Sequence, residues 1–66
     1  MDATYGFRIG LSSGRPVRED REVFVSVLGE DSHAGMLQAQ QLAVGMACGF
    51  VECAMPVSSE LVSVEL

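Results

Sequence analysis

Residues 22–48 read EVFVSVLGEDSHAGMLQAQQLAVGMAC, a stretch in which the apolar side chains first alternate and then recur every three or four positions. The alternation predicts a β-strand over residues 22–28, and the later spacing predicts an α-helix over residues 33–48. Both sets of alternating side chains in the strand are largely apolar. A strand of this kind is typical of the interior of a sheet, or of one covered on both faces.

Both ends of the predicted helix carry recognisable signals. Asp31 or Ser32 is placed to cap its start, because either side chain can accept a hydrogen bond from a first-turn amide. Gly49 is the predicted stop, in a left-handed conformation. These signals define a helix of about four turns between two extended segments.

The predicted helix is apolar on two separate strips. One strip consists of small residues that recur every four positions: Gly35, Ala39, Ala43 and Ala47. The second strip holds Leu37, Val44 and Cys48. A helix that is apolar on both sides usually packs against two partners, and a single sheet can cover only one of the two strips.

Two further strands complete the predicted fold. Residues 5–11 alternate apolar side chains with Gly or Arg, and residues 61–66 alternate again. Between the helix and the last strand, residues 50–54 fit a short strand and residues 55–59 a connection, because Pro56 disfavours a helix before it. We therefore predict one α+β domain over residues 1–66, with the order β-β-α-β in two layers. A small mixed or antiparallel sheet is covered by one helix, and the last strand lies beside the first.

The charge and hydropathy exclude several classes of partner. The formal net charge is −5, and residues 22–66 hold six acids with no Lys or Arg. An acidic body repels phosphate backbones, which argues against nucleic acid as a partner. Residues 42–51 form the longest apolar run, far short of the ~20 residues of a membrane span. No secretory signal opens the chain, so a cytoplasmic location without membrane binding is expected.

The connection between the first two strands is a candidate partner-binding loop. Three guanidinium groups on one loop can grip a phosphate or a partner's carboxylates. Interleaved acids bring the local charge close to zero, which also fits a solvated, salt-bridged loop. The three residues are Arg15, Arg18 and Arg21.

The residue types that carry catalysis or bind metals are scarce. His33 is the only histidine, and Cys48 and Cys53 are the only cysteines. Together they offer three ligands without the paired knuckles of a structural zinc site. No nucleophilic residue lies at a spacing from His33 that would indicate a catalytic pair. We predict no metal, no cofactor and no enzymatic activity.

Association is predicted from the size of the chain. A 66-residue chain buries only ~60% of the surface that it exposes when unfolded, so small domains often rely on a partner. A homodimer is predicted, through the helix or an exposed sheet edge. The alternative is that residues 50–59 fold back over the second strip and leave a monomer. The candidate interface residues are Leu37, Gln41, Val44 and Cys48.

The end of the chain adds a resemblance. Residues 55–66, MPVSSELVSVEL, follow a helix rich in Ala, Gln and Met, and all four basic residues are Arg. Over residues 34–66 the chain resembles small orphan proteins from phages of high-GC actinobacteria. The resemblance implies a phage accessory protein that binds a host or phage protein, in the host cytoplasm, and it carries over no site residues. The alternative is a nucleic-acid-linked regulator, acting through the Arg15–Arg21 loop or as an acidic DNA mimic.

Overall fold

A computed structural model describes residues 1–50 and 54–66. It confirms the predicted α+β layout, in which one helix packs on a three-stranded sheet. The elements in chain order are β1 (Asp2–Ser12), β2 (Arg21–Glu30), α1 (His33–Phe50) and β3 (Met55–Glu65).

The sheet has the strand order β2-β1-β3 and is antiparallel throughout. The last strand therefore lies beside the first, as predicted. The prediction that β2 is an interior strand, or is covered on both faces, is wrong, because β2 is an edge strand and α1 covers one face only. On the other face Phe24 and Leu28 are 64% and 65% exposed.

The core lies between one face of β1 and the small-residue strip of α1. Five alternate side chains of β1 are buried, together with one valine of β2 and three alanines of α1. The helix thus turns its strip of small residues toward the sheet and leaves the second strip exposed or only half-buried. The buried apolar residues are Ala3, Tyr5, Phe7, Ile9, Leu11, Val25, Ala39, Ala43 and Ala47.

Close backbone contacts fix the start of α1 over the end of β2. Ser32 caps the helix, since its Oγ accepts a hydrogen bond from the Gly35 N–H at 3.0 Å. A side chain at Gly35 would collide with the backbone of Glu30. The Tyr5 hydroxyl reaches the same place from β1 and donates to the Glu30 carbonyl at 2.7 Å. The helix is therefore held on the β2 side of the sheet.

The segment after the helix differs from its prediction. Gly49 does not end the helix, which continues to Phe50, and no glycine in the described residues has a positive φ. Residues 55–59 are the first half of β3 and not a connection, which corrects that prediction. Of the short strand expected over residues 50–54, Phe50 is helical, Ala54 lies outside β3, and residues 51–53 lie outside the described part of the chain.

Two register shifts explain why the sequence of the first half of β3 lacks the alternating pattern of a strand. Val57 and Val62 are each left without a partner in β1, so the side chains of β3 do not alternate strictly. Pro56 pairs with Leu11 beside one of these shifts. Proline is tolerated in edge strands at such irregularities, because a missing N–H breaks no regular ladder there.

Candidate functional site

The helix does not cover β3, although β3 belongs to the sheet on which the helix packs. α1 packs most extensively against β2 and least against β3, and every residue of β3 is exposed. Leu61 and Val64, which pair with the buried Phe7 and Tyr5, are 40% and 48% exposed. The helix and the uncovered strand therefore form the two walls of a groove.

This groove has a volume of about 440 Å³ and runs between α1 and β3. A hydrogen bond links its walls, in which Gln40 Nε2 donates to Ser59 Oγ at 2.6 Å. Its lining is mostly apolar and holds no charged side chain. The lining residues, which we call the α1–β3 groove, are Leu37, Gln40, Gln41, Val44 and Ser59.

Three of the four predicted interface residues line the α1–β3 groove. They are Leu37, Gln41 and Val44. Cys48 is half-buried and packs against the core. Helical periodicity found this strip, because residues three and four apart share a helix face. The part that these residues play in association remains a prediction.

The opposite flank of α1 is also apolar and exposed. Leu42 and Met46 are 54% and 45% exposed. At 100° per residue, Leu42 lies about 200° around the helix from Gln40, which contacts β3. Leu42 and Met46 therefore lie on the flank of α1 away from β3, which is the side of the β2 edge. Their spacing showed that they flank the small strip, but not that they are exposed.

The sheet face turned away from α1, here called the open face, has an ion-pair cluster at its centre. Arg8 Nε donates to Glu22 Oε2 at 2.7 Å, and Arg8 Nη2 donates to Glu19. The Ser58 hydroxyl donates to the other oxygen of Glu19 at 2.8 Å. These hydrogen bonds, Arg8 first, lower the pKa of Glu19, and the two carboxylates raise the pKa of Arg8.

The two acids at the end of the β1–β2 loop, Glu19 and Asp20, are both hydrogen-bonded within the protein. The Asp20 carboxylate accepts hydrogen bonds from the Ser13 hydroxyl, at 2.6 Å, and from the Ser13 N–H. The hydroxyl contact is the main reason why the pKa of Asp20 is lowered. Glu19 crosses the open face to reach Arg8. Both acids thus have partners on the protein itself.

The predicted loop residues Arg15, Arg18 and Arg21 are all exposed. Within residues 1–50 and 54–66, both ion pairs involve Arg8 and none involves these three side chains. Arg18 contributes its backbone N–H, which donates to Ser12 Oγ at 3.1 Å. The salt-bridged arginine is therefore Arg8, in β1, which the sequence did not single out. Its acidic partners lie 11 and 14 positions away along the chain.

The candidate metal ligands are spread apart. His33 is exposed at the first position of α1, and Cys48 is fifteen positions further along the same helix. At 1.5 Å per residue this separates them by about 22 Å along the axis, too far to bind one ion. Cys53 is outside the described residues. Among those that are described, no group of three metal-ligating side chains comes together.

Within residues 1–50 and 54–66, α1 is not apolar enough along its length to cross a membrane. Comparison with known protein families, with curated protein sequences and with solved structures found no match to this chain.

Proposed function

We propose that this protein is a non-enzymatic association module that forms a homo-oligomer and binds another protein, in keeping with a phage accessory role. One observation carries the proposal: more large apolar side chains are exposed on the surface than are buried in the core. At least fourteen large hydrophobic side chains are exposed. The nine apolar residues of the core include four alanines.

A core of this composition gives a lone chain little stability. Burial of a large aliphatic or aromatic side chain stabilises by roughly 1.5–3 kcal/mol, and alanine contributes far less. Domains of this length often rely on disulfides, metals or partner subunits. Association supports the fold here, because it buries side chains that the single helix leaves uncovered.

The α1–β3 groove is suited to a different protein. It is concave, and a groove that lies on a two-fold axis faces its own copy, so that both floors stay empty. The lining is mostly apolar and carries no charge, which suits an apolar side chain of the partner, and Gln41 in the lining offers a hydrogen-bonding group.

Light scattering coupled to size exclusion tests self-association. Between ~10 and 100 µM, the range of ordinary weak association, we expect at least twice the mass of the 7.0 kDa chain. A mass of 7.0 kDa across this range would contradict the proposal.

The groove has a separate test. Capture of a partner from host lysate, identified by mass spectrometry and then repeated with the purified partner, should be lost with Leu37→Glu. The matched control is Gln38→Glu, which adds the same charge at an exposed helical position outside the groove. Equal binding by the two variants would exclude the groove as the binding surface.

A nucleic-acid-linked role is the second candidate, and one observation favours it. Glu19 and Asp20 are hydrogen-bonded to Arg8 and Ser13, and among the described residues neither acid forms an ion pair with Arg15 or Arg18. The net charge of −5 opposes it. We expect no binding to mixed DNA at about 150 mM salt. A micromolar complex whose affinity falls steeply with salt would favour this role over the first.

A further inference from the structure

The two edges of the sheet differ in regularity. β3 is interrupted by Pro56 and by the two register shifts, and such features protect an edge from pairing with another chain. β2 pairs with β1 over ten consecutive positions without a shift. Its charged residues stand only near its ends, at Arg21, Glu22 and Glu30. The outer side of β2 is therefore a long, regular edge whose middle lacks the usual protection.

Apolar side chains lie on both faces beside this edge. On the open face Phe24 and Leu28 are 64% and 65% exposed. On the helix side Leu42 and Met46 lie on the flank of α1 away from β3. An extended edge with apolar surface above and below fits a second edge of the same kind.

We propose that β2 pairs antiparallel with β2 of a second copy, across a two-fold axis at Ser26, to form a continuous six-stranded sheet. The inference rests on the proposed self-association and assigns its surface. A two-fold contact requires a self-complementary patch. β2 meets this requirement, because Phe24 and Leu28 lie two positions on either side of Ser26.

The pleat of the strand restricts the register. Residues opposite each other must have side chains on the same face, so the axis passes through a residue and not between two residues. Ser26 and Val25 are the two central choices. With the axis at Ser26, Phe24 lies opposite Leu28 of the second copy, and Val25 opposite its Val27. With the axis at Val25, Phe24 would lie opposite a serine and Leu28 opposite Glu22.

The charges at the ends are compatible with the Ser26 register. Glu22 lies opposite Glu30 of the second copy, a repulsive pairing of like charges. Arg8 reduces this repulsion, because its guanidinium holds the Glu22 carboxylate at 2.7 Å. Arg21 lies opposite Asp31 of the second copy, an attractive pairing.

The proposed contact runs along the whole edge of β2. A standard interface removes about 800 Å² from each partner, close to a fifth of the 4391 Å² that the chain exposes. A ten-residue strand extends about 33 Å. Apolar side chains accompany it on both faces, so the contact is two layers deep.

A symmetric cross-link tests the register. Opposite residues on paired strands have Cβ atoms about 4.5–5.5 Å apart, close to the separation that a disulfide needs. In a chain carrying Cys48→Ala and Cys53→Ala, Ser26→Cys should give a covalent dimer on mild oxidation. Ser63→Cys, an exposed serine on the other edge strand, is the control and should remain monomeric on a non-reducing gel.

A charge variant tests the interface by an independent measurement. Leu28→Glu should weaken the dimer by roughly 30-fold or more, as for a residue central to an interface. Leu66→Glu, at an 82% exposed leucine, should leave the dimer unchanged. Both positions are exposed in the single chain, so circular dichroism should show an intact fold.

The outcomes separate this inference from the proposed function. A dimer that survives Leu28→Glu, or that is cross-linked by Ser63→Cys in place of Ser26→Cys, overturns the β2 pairing and leaves self-association standing. A chain that is monomeric before any substitution overturns both.

Discussion

β1 and β3 have the same length and lie side by side, yet they differ completely in burial. Each has eleven residues with apolar side chains at intervals. Most of β1 is buried, whereas every residue of β3 is exposed. In register, Phe7 is fully buried and its neighbour Leu61 is 40% exposed. The difference follows from position and not from hydropathy, because β1 lies between two strands beneath the helix and β3 lies at the edge of the sheet.

The single helix of this short chain covers two of the three strands. The close approach at Gly35 holds α1 over β2 and β1, and β3 is left at the side. Apolar side chains on β3 therefore contribute little to the isolated fold and remain available for contact with other molecules. Four pairs of substitutions test this division and the contacts that accompany it.

The largest effect is expected from Phe7→Ala. Truncation of a fully buried phenylalanine typically costs 3–5 kcal/mol, which is comparable with the whole stability of a domain of this size. Leu61→Ala, at the neighbouring position on β3, should cost less than about 1 kcal/mol. Urea unfolding at one fixed protein concentration measures both. Equal losses would mean that β3 is as structural as β1.

Gly35→Ala tests what holds the helix near β2. The added methyl group would meet the backbone of Glu30, and overpacking of this kind costs about 1–3 kcal/mol. The control is Gly45→Ala, where a Cβ meets nothing within 4 Å. That change should stabilise by roughly 0.5–1 kcal/mol. A neutral Gly35→Ala would show that the close approach does not position α1.

Tyr5→Phe removes only the hydroxyl that links β1 to the end of β2. The Glu30 carbonyl loses its 2.7 Å hydrogen bond, and we expect a loss of about 1 kcal/mol. Val64 is the register partner of Tyr5 on β3. Val64→Thr should change the free energy of unfolding by less than half of the change expected for Tyr5→Phe, and thermal melts compare the two variants. If the two variants melt together, the hydroxyl is not a structural link.

The smallest effect concerns acid stability. The pKa of Glu19 is lowered in the folded protein, so its contribution to stability is present above its ordinary pKa, near 4.3, and is lost as the pH falls below it. Glu19→Gln should reduce the loss of thermal stability between pH 6 and pH 3, and Ser58→Ala should reduce it less. An unchanged pH profile in Glu19→Gln would remove Glu19 as a contributor.

The spacing of apolar residues along the chain predicts three of the four elements of this fold. β1, β2 and α1 follow from periodicity and from the Ser32 cap, because their side chains alternate or recur without interruption. The first half of β3 was missed, since Pro56 and the unpaired Val57 break its alternation. The edge position of β2 was missed because an apolar pattern on two faces does not reveal whether both are covered.

The candidate site also has one part that the sequence predicts and another part that it does not. Helical spacing identified the strip that holds Leu37 and Val44. Spacing could not show that this strip faces β3, because the direction depends on how the helix lies on the sheet. The Arg8 cluster had no local signal, since its acidic partners approach only when the β1–β2 loop folds onto the open face.

The central position of β1 has a consequence for how the chain reaches its structure. β1 pairs with β2 nearby in the chain, but its other partner is distant, and Thr4 pairs with Glu65, roughly sixty positions later. Contacts of high sequence separation slow folding, since the entropy of closing a long loop is lost before they form. During synthesis β1 must therefore wait with one side unpaired until nearly the whole described chain has been made. Its unpaired backbone edge is a transient aggregation hazard that lasts until β3 is made.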